Sequence, residues 1–344
     1  MRIAISLRLA NEDWAAASAW VVEAERLGAH AVWSAESWGH DAVTPLAFLA
    51  ARTSRIRLGA GIMQAGTRTP ALVAMTAMSL ASMSDNRFNL GLGVSGPQVI
   101  EGWHGIRFER PVRRMRETID IVRRIARGER LEYHGEVYDL PLPGGEGKAL
   151  RSAARPRPDI PVYLATLSPR SLEMTGEVAD GWLGTSFMPE HASVFFDHLA
   201  AGAARAGRTL ADLDLQAGGV VAFSDDLAPL LAARKPGLAF TLGAMGSRAH
   251  NFYNAAFRRA GYEDTALEVQ RLWLDGRRDE AAMRVPDEMA LKTNLLGTEA
   301  MVRDRLRAYR KAGITTLRVE PAASALDERL ATLGRVLELV RDLT

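Results

Sequence analysis

Short apolar runs rich in β-branched residues alternate along this chain with longer segments whose apolar positions recur every three to four residues. That alternation is the mark of repeated strand–helix units on a parallel sheet. Eight runs read as strands: RIAISLRL from Arg2, AVWSAE from Ala31, RIRLGAGIM from Arg55, FNLGLGV from Phe88, IPVYLATL from Ile160, DGWLGTSF from Asp180, LDLQAGGVVAFS from Leu213 and LRVEP from Leu317. The first helix is opened by Asn11 or Asp13, turns Trp14, Ala17, Val21, Ala24 and Leu27 to one face, and is ended by Gly28. Ala-rich helices over TPLAFLAART and TPALVAMTAMSLASM separate strands two to four. PVRRMRETIDIVRRIARG is a strongly patterned helix with a basic exposed side, and no helix is expected between the fourth strand and about Arg110. LEYHGEVYDLPL alternates around a His-Gly turn and reads as a hairpin. Further helices follow Ser168 and Pro189.

Eight strands with intervening helices predict an α/β fold, a (β/α)8 TIM barrel, because an ordinary doubly wound sheet has five or six. The chain is expected to be one domain over residues 1–344, with a helical insertion at about 227–288 between the last two strands. RSAARPRP, residues 151–158, is the expected flexible stretch, since its Pro and Arg residues build no regular element.

Composition narrows the function classes. At 344 residues and 47% hydrophobic content the chain can bury a large core. Its 43 basic and 41 acidic side chains nearly cancel, which speaks against nucleic acid. With no cysteine there is no disulfide, thiolate metal site, iron–sulfur cluster or cysteine nucleophile. The opening apolar run is too short for a secretory signal, and the longest apolar stretch falls short of the roughly 20 residues that span a bilayer. A cytoplasmic protein without a membrane partner is expected.

Gly91, Gly93 and Gly96 in GLGVSG match G-x-G-x-x-G. A dinucleotide fingerprint needs a helix starting at that loop. The preferred reading is a glycine-rich end of a barrel strand, where missing side chains admit a flat ring; glycines easing a tight turn are the alternative. The histidines form no metal-ligand spacing, and His191 and His198, seven apart on one expected helix, read as surface residues. His40 and His104 follow strand ends, and Glu36 ends strand two, so all three belong to loops at a barrel's catalytic mouth. Ser168, Arg170 and Ser171 open a helix directly after strand five. They offer either a phosphate seat or a plain Ser cap before a first-turn Pro.

The tract RIRLGAGIMQAGTRTPALVAMTAMSLASMSDNRFNLGLGVSGPQVIEGWHG strongly resembles the third and fourth units of the luciferase-like superfamily, above all its F420-dependent actinobacterial branch. AVWSAESWGHDA, ADGWLGT, FTLGAMGSRAHNFYN, VPDEM and LLGTEAMVRDRLRAYRKAGITTLRV extend the likeness in order along the chain. The resemblance implies a cofactor ring stacked on a bulge in strand three that carries a non-proline cis peptide, here Gly61–Ile62, with Met63 beside it. It assigns Val94, Ser95, Gly96, Pro97 and Gln98 to the cofactor's side chain, and Ala165, Thr166, Leu167 and Ser168, with Arg170, to its phosphate. Glu36 matches an acidic position of related deazaflavin enzymes, while the histidine that follows it in several relatives is Ser37 here. Glu36 and His40 are therefore the candidate proton-exchanging groups, with the Glu101–Trp103–His104 loop in reserve. The activity implied is hydride transfer between coenzyme F420 and a small organic substrate, in a homodimer. An FMN-dependent monooxygenase and a non-catalytic flavin-binding relative are the alternatives.

Overall fold

The computed structural model describes residues 1–9, 13–246 and 251–343. Eight parallel strands close into a barrel: β1 (Arg2–Ser6), β2 (Ala31–Ser34), β3 (Arg57–Ala60), β4 (Phe88–Gly93), β5 (Val162–Ala165), β6 (Gly181–Leu183), β7 (Asp214–Phe223) and β8 (Thr316–Pro321). Each pairs with its sequence neighbour, and β8 closes onto β1 through Ile3 opposite Leu317 and Ile5 opposite Val319. The period-2 alternation read from the sequence sorts side chains between two layers. Ile3, Ile5, Val32, Leu58, Leu90, Leu92, Val162, Leu164, Leu317 and Val319 face the surrounding helices in the main core. Ala4, Ala31, Trp33, Tyr163 and Leu183 fill the barrel. There the rings of Trp33 and Tyr163 meet edge to face at 5.2 Å, an arrangement that aligns the positive edge of one ring with the negative face of the other.

At the N-terminal end of the barrel Asp214 ties four strands together. It accepts from Tyr163 Oη (2.9 Å), Thr316 Oγ1 (2.8 Å) and Gln216 Nε2 (2.8 Å), and pairs with Arg2 (2.7 Å). Burial alone would raise its pKa, but the bonds from Thr315 and Thr316 and the charge of Arg2 outweigh burial and hold the carboxyl below its ordinary value.

The helices start and stop where their ends are chemically satisfied. Asp13 caps the first (Trp14–Leu27), its carboxylate accepting from Ala16 N at 2.9 Å. Asn11, the other expected cap, lies outside the described residues. Thr69 caps Pro70–Met83 with Pro70 in the first turn. The expected hairpin forms between Tyr133–His134 and Asp139–Leu140. Buried Glu117 anchors its turn by accepting the amides of Glu136, Val137 and Tyr138. Residues 151–158 hold no helix or strand, yet the stretch is tethered by a bridge from Arg151 to Arg130 and by the Arg157 side chain on Asn86 and Ser82. Asn86 precedes β4, so this arginine tract sits at the closed end of the barrel, away from the mouth.

Between β7 and β8 runs a series of helices from Leu227–Ala232 to Asp287–Lys292, largely packed on an apolar cluster of its own that includes Leu242, Phe257, Val269, Leu272 and Met289. The chain returns through a short strand, Leu295–Gly297, which pairs in parallel with the outer end of β7. His191 and His198 do not share a helix: His191 closes a 3-10 turn with its Nε2 sealed from solvent, and His198, in Ser193–Arg205, lies 3.5 Å from Glu173.

Candidate active site

The C-terminal mouth of the barrel has two unlike sides. On the first, β3 breaks after Ala60, the Gly61–Ile62 peptide is cis, and the chain resumes pairing as Met63–Gln64 against Leu92 and Gly93. Two glycines of GLGVSG make this possible. A β-carbon built on Gly91 would lie 1.8 Å from Ala60 O, and one on Gly93 would lie 2.8 Å from Ile62 Cγ1. The motif that mimics a dinucleotide fingerprint is therefore spent on clearing room for the bulge. Ile62 stays half-buried, packed on the Trp33–Tyr163–Leu183 cluster beside Ala165.

Met63 is a correction. It is 0% exposed and belongs to the main core, because strand parity turns it away from the mouth, and its side chain has no access to a ring. After β4, Val94, Ser95, Gly96 and Pro97 are half-buried and Gln98 is exposed. Ser95 has a φ of 58°, a left-handed conformation that costs a non-glycine residue free energy and recurs at functional sites. A short helix, Pro97–Ile100, begins at once after Gly96, contrary to the expectation of none before about Arg110. Four residues are too few for a hydrophobic period to register.

At the end of β5, Thr166 is also corrected: its hydroxyl points inward to Thr175 Oγ1 at 2.8 Å, so its side chain is unavailable to a phosphate. Ser168 caps Pro169–Val178, its Oγ 2.8 Å from Ser171 Oγ, and Arg170 is exposed without an ion pair among the described residues. The insertion reaches this loop, where Arg259 Nη2 donates to Leu167 O at 2.6 Å.

Glu36 is engaged on both oxygens. Oε1 takes Arg68 Nη1 (2.6 Å) and Gln64 N (3.1 Å); Oε2 takes Arg68 Nη2 (2.7 Å) and Ala42 N (3.2 Å). Burial pushes its pKa up, but the bidentate guanidinium and two amides outweigh burial and hold it below the ordinary glutamate value. Such a carboxylate stays ionised and fixes the Gln64 amide, two residues past Ile62; it has no lone pair left over for proton exchange. Arg68 itself escaped sequence reading, since nothing local links it to an acid 32 residues away. His40, on the same loop, is exposed and stands edge-on to Trp14 at 5.2 Å. Glu101 accepts from Phe108 N (3.0 Å), and Trp103 and His104 are exposed beyond it.

The second side of the mouth is a cavity of about 390 Å³ between β6, β7, β8, β1 and the insertion. Its polar lining includes Ser6, Thr185, Ser186, Arg234, Arg318 and Glu320. Ser186, like Ser95, is left-handed, with φ 54°. Arg318 sits within the barrel with Nη2 on Gly184 O and Nε unpartnered among the described residues, and burial pushes its pKa down to about 10. Thr316, Arg318 and Glu320 alternate with the core residues Leu317 and Val319. That parity, visible in the sequence, could have marked Arg318 as inward-facing.

The luciferase-like monooxygenase family model matches residues 1–316. A Mycobacterium tuberculosis protein that carries the proposed name coenzyme F420-dependent oxidoreductase is 40% identical over 321 residues, 91% of this chain and 92% of its own. The 5,10-methylenetetrahydromethanopterin reductase of Methanolobus tindarius is 32% identical over 63% of this chain and 64% of its own. Among solved structures, the coenzyme F420-dependent tetrahydromethanopterin reductase of Methanopyrus kandleri superposes with a TM-score of 0.81 at 23% identity, covering 97% of both chains. An F420-dependent secondary alcohol dehydrogenase superposes at 0.77 and 16% identity over 99% of both.

Proposed function

We infer the activity from one premise, that this chain belongs to the luciferase-like monooxygenase family. We propose a cytoplasmic oxidoreductase that transfers hydride between coenzyme F420 and a small organic substrate. The observation that carries this is the 40% identity, over nine-tenths of both chains, to a relative named for that coenzyme.

The residues fit a flat ring with an anionic tail. Gly91 and Gly93 leave Ile62 presented beside the mouth as an apolar surface, and the loop from Val94 to Gln98 continues from it. The ten-residue helix opened by Ser168 points the positive end of its dipole toward the mouth, next to the exposed Arg170. When bound there, the deazaflavin supplies a ring carbon that gives or takes hydride and reacts poorly with oxygen. Ile62 would support the ring, and Glu36, through the Gln64 amide, fixes the bulge. Ser168 and Arg170 would hold the phosphodiester. With Glu36 fully engaged, we assign proton exchange to His40 on the exposed rim.

Titration of the purified protein with F420 and with FMN tests the reading. F420 binds more tightly, and Arg170→Ala weakens it by about tenfold, about 1.4 kcal/mol, with the loss shrinking as salt is raised. Tighter, salt-insensitive binding of FMN overturns the choice of cofactor. We further propose a homodimer, for which Leu72 and Met75, both exposed on the helix Pro70–Met83, supply apolar surface. Light scattering should return twice 37.5 kDa; a monomeric mass at micromolar concentration rules the dimer out.

A further inference from the structure

The cavity on the second side of the mouth is electrostatically unbalanced. Two guanidinium groups, Arg318 and Arg234, line it, and neither has a carboxylate partner among the described residues. Its one acid, Glu320, is already paired with Arg8 at 3.1 Å. A desolvated cation is costly unless a counter-charge meets it, and among the described residues the Arg318 side chain hydrogen-bonds to one backbone carbonyl, that of Gly184. The hydroxyls of Ser6, Thr185 and Ser186 line the same space. The residues assigned to the cofactor come from β3, β4 and β5, and none of them lines this cavity, whose walls are β6, β7, β8, β1 and the insertion.

We propose that this cavity is the substrate pocket and that Arg318, assisted by Arg234 at its insertion wall, seats a carboxylate carried by the substrate. The guanidinium fork matches a carboxylate in shape and charge, and the hydroxyls complete its shell. The inference rests on the oxidoreductase reading only in calling the anion a substrate. The pocket is specific for organic acids over their neutral counterparts because the neutral analogue leaves the partly desolvated Arg318 without a counter-charge.

The test uses the full chain and two probes of equal shape, cyclohexanecarboxylate and cyclohexanecarboxamide, in thermal denaturation and calorimetry at fixed ionic strength. The carboxylate raises the melting temperature of the unsubstituted protein and the amide does not. Arg318→Met weakens carboxylate binding by about ten- to a hundredfold. The same variant without ligand melts no lower than the parent, since it removes a half-buried charge with no carboxylate partner among the described residues; a residue held for the fold alone would show the reverse. Arg234→Ala, near the surface, weakens the carboxylate by about threefold or more and keeps the test open if Arg318→Met fails to fold. Fluorescence titration of F420 completes it, with the dissociation constant of Arg318→Met staying within about twofold of the parent. Equal protection by acid and amide, or unchanged carboxylate binding in both variants, overturns the proposal. So does a collapse of F420 affinity in Arg318→Met, which would give the arginine to the cofactor's own phosphate. If F420 fails to bind the parent while the carboxylate still protects it, the cofactor reading falls and the anion pocket stands.

Discussion

Gly91→Ala is expected to destabilise the protein by about 3 kcal/mol or more and to abolish cofactor binding. The added methyl group would sit 1.8 Å from Ala60 O, where both sides of the clash are main chain in paired strands and no side chain can rotate away. Relief requires β3 and β4 to move apart at the point where the chain turns into the Gly61–Ile62 bulge, so the floor of the site moves with them. Gly66→Ala is the control: its methyl would meet Ile100 Cδ1 at 3.5 Å, an ordinary contact, and both melting temperature and binding should stay near the parent. A normally stable Gly91→Ala protein that binds F420 as the parent does would show that the glycine is incidental.

Arg68→Met should cost about 3 to 5 kcal/mol at neutral pH, because it leaves the Glu36 carboxylate, only 9% exposed, without its counter-charge. The pH dependence carries the diagnosis. Glu36 has a pKa below its unfolded value of about 4.3. Its stabilising contribution is therefore complete above that value and is lost as pH falls through the lower native pKa. The stability gap between parent and Arg68→Met is widest near pH 7 and narrows on acidification, as measured by denaturant unfolding at a series of pH values. Adding Glu36→Gln to Arg68→Met should recover part of the loss, since the two side chains act as a unit. A gap that does not change with pH would mean that Arg68 contributes packing alone.

All eight barrel strands were legible because alternating apolar residues face two different layers, and the helices between them carry their own period and caps. What the sequence hid was set by distant contacts or by parity. Gly91 and Gly93 were recognised as unusual, but the reason, a close approach to residues 60 and 62 of another strand, is nonlocal. Met63 and Thr166 were assigned to the cofactor because they adjoin the bulge and the phosphate loop, yet in extended backbone adjacent residues face opposite ways, and both point into the core. The helix Pro97–Ile100 and the strand Leu295–Gly297, which lies beyond the expected end of the insertion at about 288, are too short for a hydrophobic period to register. Glu36 follows β2 with both oxygens engaged, which is why proton exchange is proposed for His40 instead. The partner that keeps it ionised lies 32 residues along the chain, beyond the reach of any pattern.

The insertion's separate apolar cluster has a kinetic consequence. Helices packed chiefly on one another can open to solvent as a unit while the barrel's amides stay protected, so hydrogen–deuterium exchange should resolve residues 235–292 as a faster-exchanging block than β1 to β8. Because Gly237, Leu238 and Thr241 of this block, with Arg234 just before it, also wall the cavity, any molecule resting there binds the closed form and must leave before the block can open. The exchange rate of amides far from the chemistry would then serve as a gauge of pocket occupancy, readable before any substrate has been identified and without a single turnover.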